Sequence, residues 1–428
     1  MNTELKERKD TDPAYHWDLS TLYKNDEEWQ KELDTLDDLI QDVTGRQGTL
    51  HDAEAIAAYF AAETTLERKL NNLFNYASLR QSEDTRAAEA NRMYARIFSR
   101  ATDVGSRTAF AEPEILELSQ EELEQIRDAE VMKPYRFTME CLIRRKPHTL
   151  SAGEEEILAR LSQALNAPQE IAEKLMDADL TFDSVPDEHG QMHEVSGANY
   201  ILHQQSTDRT LRKNAFFSLY KGYGSHVHTF AAAYAGAVHG AIAEAAARHY
   251  GSSREMSMAE DNIPTAVYDQ LIAAVHDHMD VMHRYVRLRK KLLGVDELHY
   301  YDLYAPLTEG PKDEYSYDQA KEMVLQAVSV LGEDYVNTVK RAFSEGWIDV
   351  YPNKGKTGGA YSSGTYDSAP YILLNYTGTL ESVSTIAHEM GHSMHSWLAN
   401  HAQPAHLADY TMFVAEVAST VNENLMIE

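Results

Sequence analysis

The chain has 428 residues, of which 39 are basic and 68 acidic, giving a formal charge of −29. A surface this acidic repels phosphate backbones and anionic membranes, so it argues against nucleic-acid or membrane partners and for solubility. Cys141 is the single cysteine, which excludes an intrachain disulfide and fits a reducing compartment; with no apolar signal core in the polar residues 1–10, a cytoplasmic protein is expected.

Proline and glycine are sparse, at 12 and 21 residues, and long stretches keep a helical period, so the predicted fold class is mainly α. Residues 27–42 place Trp29, Leu33, Leu36 and Ile40 on one helical stripe. Ser151 and Glu154 form a capping-box pattern that opens a further helix, with Ile157, Leu158, Leu161 and Leu165 on its apolar face. Residues 180–195 read as two short strands around a turn at Glu188, His189 and Gly190. The alanine-rich residues 230–247, broken by His239 and Glu244, fall short of a membrane span and suit a closely packed interior helix. His226 and His228, like His276 and His278, are two residues apart and point to opposite sides of a helix, so they chelate poorly. Arg284, Arg287, Arg289, Lys290 and Lys291 read as a solvated helix face. Residues 347–376 interrupt the helical text with glycines at 355, 358, 359 and 364, then the apolar run 371–376. They predict a small sheet, a flexible glycine segment over a cleft, and one strand leading into the next helix.

Residues 379–400 carry the chemistry. Thr379 suits an N-cap and Glu381 the positive first turn, while Val383, Ile386, Met390 and Trp397 follow helical spacing on one face. His388 and His392 are one turn apart on the other face, roughly 6 Å along the axis, so two imidazole nitrogens can converge on one ion. Glu389, next to the first histidine, can reach a metal-bound water and take its proton, as peptide hydrolysis requires. A catalytic zinc needs a third protein ligand and an open position. His395 lies roughly 10 Å beyond His388 along the axis, too far to share the ion, and suits a supporting or substrate-facing role. The metzincin pattern requires glycine at 395 and histidine at 398, whereas the chain has His395 and Leu398. His401 and His406 read as surface histidines. Glu416 is the best candidate, because an acidic side chain among small apolar residues is expensive to bury unless it meets a cation. Glu423 shares its helix face and could orient a ligand histidine, or be an ordinary solvated position.

At His388-Glu-Met-Gly-His392 and Phe413-Val-Ala-Glu416 the sequence resembles the M3 family of zinc oligopeptidases, in its oligoendopeptidase F branch. Residues 17–23, 261–264, 302–306 and 359–376 agree with that resemblance, which spans nearly the whole chain. It implies an elongated helical bowl of the zincin-like, gluzincin type, with a deep channel and a small β-sheet beside the zinc helix. It further implies an N-terminal helical region over 1–112, a helical subdomain of the oligopeptidase F type over 113–183 and a metallopeptidase catalytic domain over 184–428. The implied zinc ligands are His388, His392 and Glu416, holding one Zn2+ per chain, with Glu389 as general base. The implied activity is cytoplasmic endopeptidase cleavage of short unfolded peptides. By the same resemblance the catalytic domain is expected to be incomplete at its C-terminus, lacking a channel wall with substrate-holding side chains. Two alternatives accompany this reading: a weakly active or inactive metal-containing peptide-binding fragment, and a related zinc carboxypeptidase.

Overall fold

The computed structural model describes residues 5–197, 199–308 and 314–427, and the chain folds as two compact units. One comprises residues 1–146 with 313–428, the other residues 147–312.

In the first unit, residues 27–42 form two helices where the apolar stripe suggested one: α1 (Asp26–Asp34) and α2 (Leu36–Thr44), meeting at Thr35. The Thr35 hydroxyl donates to the Glu32 carbonyl at the last turn of α1. The stripe itself is correct, since Trp29, Leu33, Leu36 and Ile40 are all buried. They pack in a core with residues of α3 (Ala53–Glu83) and α4 (Ala88–Thr108).

The second unit holds α5 (Ala152–Lys174), opened by the expected Ser151–Glu154 capping box. Its apolar face is less covered than its period implied: Ile157 is 58 % exposed, although Leu165 and Pro168 lie against Gly240 and Gly236. The expected hairpin is present as β1 (Val185–Pro186) and β2 (Met192–His193), paired antiparallel. Next come α6 (Arg209–Ser225) and α7 (Val227–Ala247). The interior position expected for residues 230–247 is not found, because Ala245 is the buried residue of α7 and Tyr234, Val238 and Ile242 are exposed. Among the described residues no helix is long and apolar enough to cross a membrane. Arg289 departs from its cluster: it is buried and donates to the carbonyls of Asp302 and Ala305, whereas Arg284, Arg287, Lys290 and Lys291 are exposed. Asp302 anchors this region, accepting hydrogen bonds from Arg209 and Arg212 at 2.9 and 3.0 Å.

The chain then supplies the predicted sheet of the first unit, β3 (Ile348–Asp349), β4 (Tyr361–Ser363) and β5 (Tyr371–Leu373). Their order is β3-β5-β4, with β3 parallel and β4 antiparallel to the central strand. Side chains alternate across a strand, so β5 joins two cores. Tyr371 and Leu373 enter the one built on α1–α4, while Ile372 and Leu374 pack with Val324, Val339 and Trp347. Each such buried side chain contributes about 2 kcal/mol.

The glycine segment is tied down at residues 355–357. Thr85 N–H donates to the Gly355 carbonyl at 2.8 Å and Thr357 N–H to the Ser82 carbonyl at 3.0 Å. Between them the Lys356 ammonium is buried against Asp349 at 2.6 Å. Strand β5 leads into α8 (Leu380–Ala402), and a turn beyond it returns the chain through α9 (Met412–Ile427).

Candidate metal centre

Thr379 caps α8 as its sequence suggested, its hydroxyl accepting from Ser382 N–H at 3.2 Å. Val383, Ile386 and Met390 are fully buried on the core face and Trp397 packs at its margin, so the opposite face must carry the polar side chains. His388 and His392 lie there, half-buried, with their Nε2 atoms 3.2 Å apart.

Helix α9 runs against this face. The Glu416 Oε2 atom is 3.6 Å from His388 Nε2 and 3.5 Å from His392 Nε2. Donor atoms of all three residues lie within 4.8 Å of one another. Ligands at ~2.0–2.1 Å from a tetrahedral ion stand about 3.4 Å apart, so the three separations fit a zinc-sized ion with a fourth position free. The structure brings together every metal ligand expected from the sequence. Glu416 is not placed by burial, however. Its side chain is 54 % exposed rather than buried, and the Ser419 hydroxyl holds it by donating to Oε2 at 2.8 Å. That bond is the main influence keeping the Glu416 carboxyl below its usual range, with the two histidines adding to it.

Glu423 takes the orienting role. Its Oε1 is 2.8 Å from His388 Nδ1, which fixes the ring and directs Nε2 at the cluster. Asn422, buried beside it, donates to the Ala387 carbonyl at 3.1 Å and accepts from the Tyr335 hydroxyl at 3.0 Å. Sequence reasoning missed Ser419 and Asn422; their spacing of three and six residues from Glu416 on one helix was the available signal.

Glu389 is buried, and burial pushes its carboxyl up to about 7, opposed by His388 and by a backbone hydrogen bond from Ser362 and reinforced by Glu416. A carboxyl poised there can both accept and return a proton near neutrality. Ser362 belongs to the edge strand β4, and its hydroxyl lies 2.7 Å from that of buried Ser393, tying β4 to α8. Burial lowers the affinity of His392 for a proton, against the raising influence of Glu416, which favours the neutral ring a metal requires.

The remaining histidines stay outside the cluster. His395 stacks on Tyr410 with ring centres 3.6 Å apart. His401 is exposed and lies over Trp397, while His406 is half-buried with Nε2 2.8 Å from the Pro134 carbonyl.

Residues 202–428 match the sequence model of peptidase family M3, and residues 114–182 that of oligopeptidase F. Oligopeptidase PepF of Bacillus subtilis is 36 % identical over 99 % of this chain, and group B oligopeptidase PepB of Streptococcus agalactiae is 36 % identical over 98 %. The chain spans 64 % of the length of the Bacillus relative and 70 % of the Streptococcus one. Among solved structures, oligoendopeptidase-F from Enterococcus faecium superposes with a TM-score of 0.63 at 30 % identity, covering 93 % of this chain and 66 % of that one. A chain from Chlamydophila abortus superposes with a TM-score of 0.90 at 35 % identity, covering 99 % and 72 %. The chain belongs to peptidase family M3, in its oligopeptidase F branch.

Proposed function

We propose that this chain carries the active site of a zinc-dependent endopeptidase acting on short unfolded peptides. The observation that carries the reading is the convergence of His388, His392 and Glu416, with buried Glu389 beside it. These three residues would hold the ion, zinc being favoured by two imidazoles and a carboxylate over manganese or cobalt. When bound, zinc supplies a Lewis acid that polarises a peptide carbonyl and acidifies water.

The protein's own residues do the rest. Glu389 takes the proton of the attacking water and returns it to the leaving amine. Glu423 holds His388 in one orientation, and Ser419 holds Glu416. Edge strand β4 has one side unpaired within its sheet, so an extended peptide can add its backbone there beside Glu389. In this reading residues 1–112 form an N-terminal helical region, 113–183 a helical subdomain and 184–428 the catalytic domain, in a cytoplasmic enzyme.

Cleavage of a quenched peptide blocked at both ends tests the reading. An endopeptidase cuts it and loses the activity to a chelator. A carboxypeptidase cuts only the peptide with a free C-terminus, and a peptide-binding protein cuts neither.

A further inference from the structure

Strand β4 is held differently from the strand it pairs with. The side chains of β5 are buried, whereas those of β4 are half-buried. At 362 and 363 the strand carries hydroxyls where its neighbour carries apolar side chains, so directional bonds rather than close packing set its place. Successive side chains of a strand point to opposite faces, and both faces are used. On one, buried Asn75 of α3 donates to Ser363 Oγ at 2.6 Å. On the other, Ser362 Oγ meets Ser393 Oγ of α8 at 2.7 Å.

The bonds to α8 form a seam. Ser362 N–H bonds the Glu389 carboxyl, and its hydroxyl bonds Ser393 one helical turn further. The Thr365 carbonyl then accepts from Asn400 Nδ2 at 3.0 Å, and the Tyr366 hydroxyl donates to the Gln403 carbonyl at 3.1 Å. Glu389, Ser393 and Asn400 lie within about 40° of one another around the helix axis. From Ser393 to Asn400 the helix advances about 10.5 Å, and from Ser362 to Thr365 the strand advances about 10 Å, so the two keep step. Ser393 is fully buried. Alanine there would suit the helix better and bury no polar group, so the hydroxyl is compensated by its bond to β4.

We propose that Ser393 is a positioning residue of the peptidase, holding Ser362 so that the edge taking an extended peptide lies at a fixed distance from the Glu389 carboxyl. It touches neither substrate nor attacking water and acts through β4. The proposal rests on the peptidase reading for its effect on turnover, while the clasp itself belongs to the fold.

Turnover and amide hydrogen exchange test it separately, in zinc-loaded wild type, Ser393→Ala, Ser362→Ala, the double variant and Ser362→Thr. Ser393→Ala is expected to lower kcat on the doubly blocked peptide about tenfold, with KM changed by less than about twofold and zinc content unchanged. The double variant should lose no more than either single one, because both cut the same bond, and it leaves no buried hydroxyl unpaired to hinder folding. Ser362→Thr keeps the hydroxyl and suits a strand, so it should turn over near the wild-type rate. The Ser362 amide should exchange about tenfold faster in Ser393→Ala, while the Ile372 amide, bonded to Trp347 within the sheet, keeps its protection. Losses that multiply in the double variant, unchanged exchange at Ser362, or equal loss of protection at Ile372 would overturn the proposal. A wild type that cuts none of these peptides would defeat the peptidase reading. Exchange then decides the clasp alone: faster exchange at Ser362 supports it and equal exchange overturns it.

Discussion

Gly391 of α8 lies directly against Ser419 of α9: a β-carbon built on Gly391 would stand 2.7 Å from the Ser419 α-carbon and 2.7 Å from the Ala418 carbonyl oxygen. Both neighbours are backbone, so neither can swing aside. The missing side chain lets the two helices approach closely enough for Glu416 and Glu423 to reach the histidines on either side of that glycine. Gly391→Ala should therefore push the helices apart, costing about 1–3 kcal/mol of stability. It should weaken metal binding more than the stability loss alone explains. Urea unfolding of the metal-free protein and zinc titration against a chelating dye measure the two effects, and unchanged zinc affinity would contradict this role.

Glu423 touches His388 at Nδ1, so in the proposed site it would act on the metal through that ring. Glu423→Ala should lower zinc affinity about 10- to 100-fold, and Glu423→Gln, which can still hydrogen-bond Nδ1, by less. Both variants should keep the helical circular dichroism of the wild type, because Glu423 is half-exposed. Equal affinity in all three proteins would make Glu423 an ordinary surface residue.

Acid should weaken the second unit through Asp302. Burial alone would raise this carboxyl, but hydrogen bonds from Arg209, the His299 N–H and Arg212 outweigh it and hold the group at about 2, below the ordinary 3.8. A depressed carboxyl stabilises the fold above its unfolded value and loses that contribution as pH falls through the folded one. The window is thus from about 4 down to about 2, with roughly 2 kcal/mol at stake. Asp302→Asn should be less stable than wild type at pH 7, and the difference should shrink in urea titrations at pH 3. A constant difference across that range would contradict the assignment.

The buried pair of Lys356 and Asp349 makes a separate prediction. Asp349 also accepts from Arg8, so removing Lys356 leaves it with one cation in a buried setting. Lys356→Met should cost about 3 kcal/mol by chemical denaturation. It should also release residues 355–357 to limited proteolysis, because Lys356 fastens that stretch to the sheet. A loss well under 1 kcal/mol with unchanged proteolysis would show that Arg8 suffices.

These relationships explain how much of the molecule could be read beforehand. The histidine pair, its buried core face and the sheet before it were legible, because one-turn spacing and apolar periodicity are local properties of the chain. The apolar period of 157–165 and the alanine-rich composition of 230–247 also marked apolar surface. Neither could say whether any part of the chain covers it, and Ile157 and Tyr234 are exposed. Glu416 was found for a reason that does not hold: desolvation cost pointed to it, yet its side chain is half in water and is placed by Ser419. Hydrogen bonds such as that one, or Asn422 to Ala387, depend on the approach of two helices and leave no periodic trace.

The most direct test of the central claim compares wild type, Glu389→Gln and His388→Ala for zinc content and for cleavage of the doubly blocked peptide. The expected result is one zinc per chain and cleavage in the wild type, one zinc and no cleavage in Glu389→Gln, and loss of both in His388→Ala. Undiminished cleavage by Glu389→Gln, or full zinc retention by His388→Ala, would contradict the account.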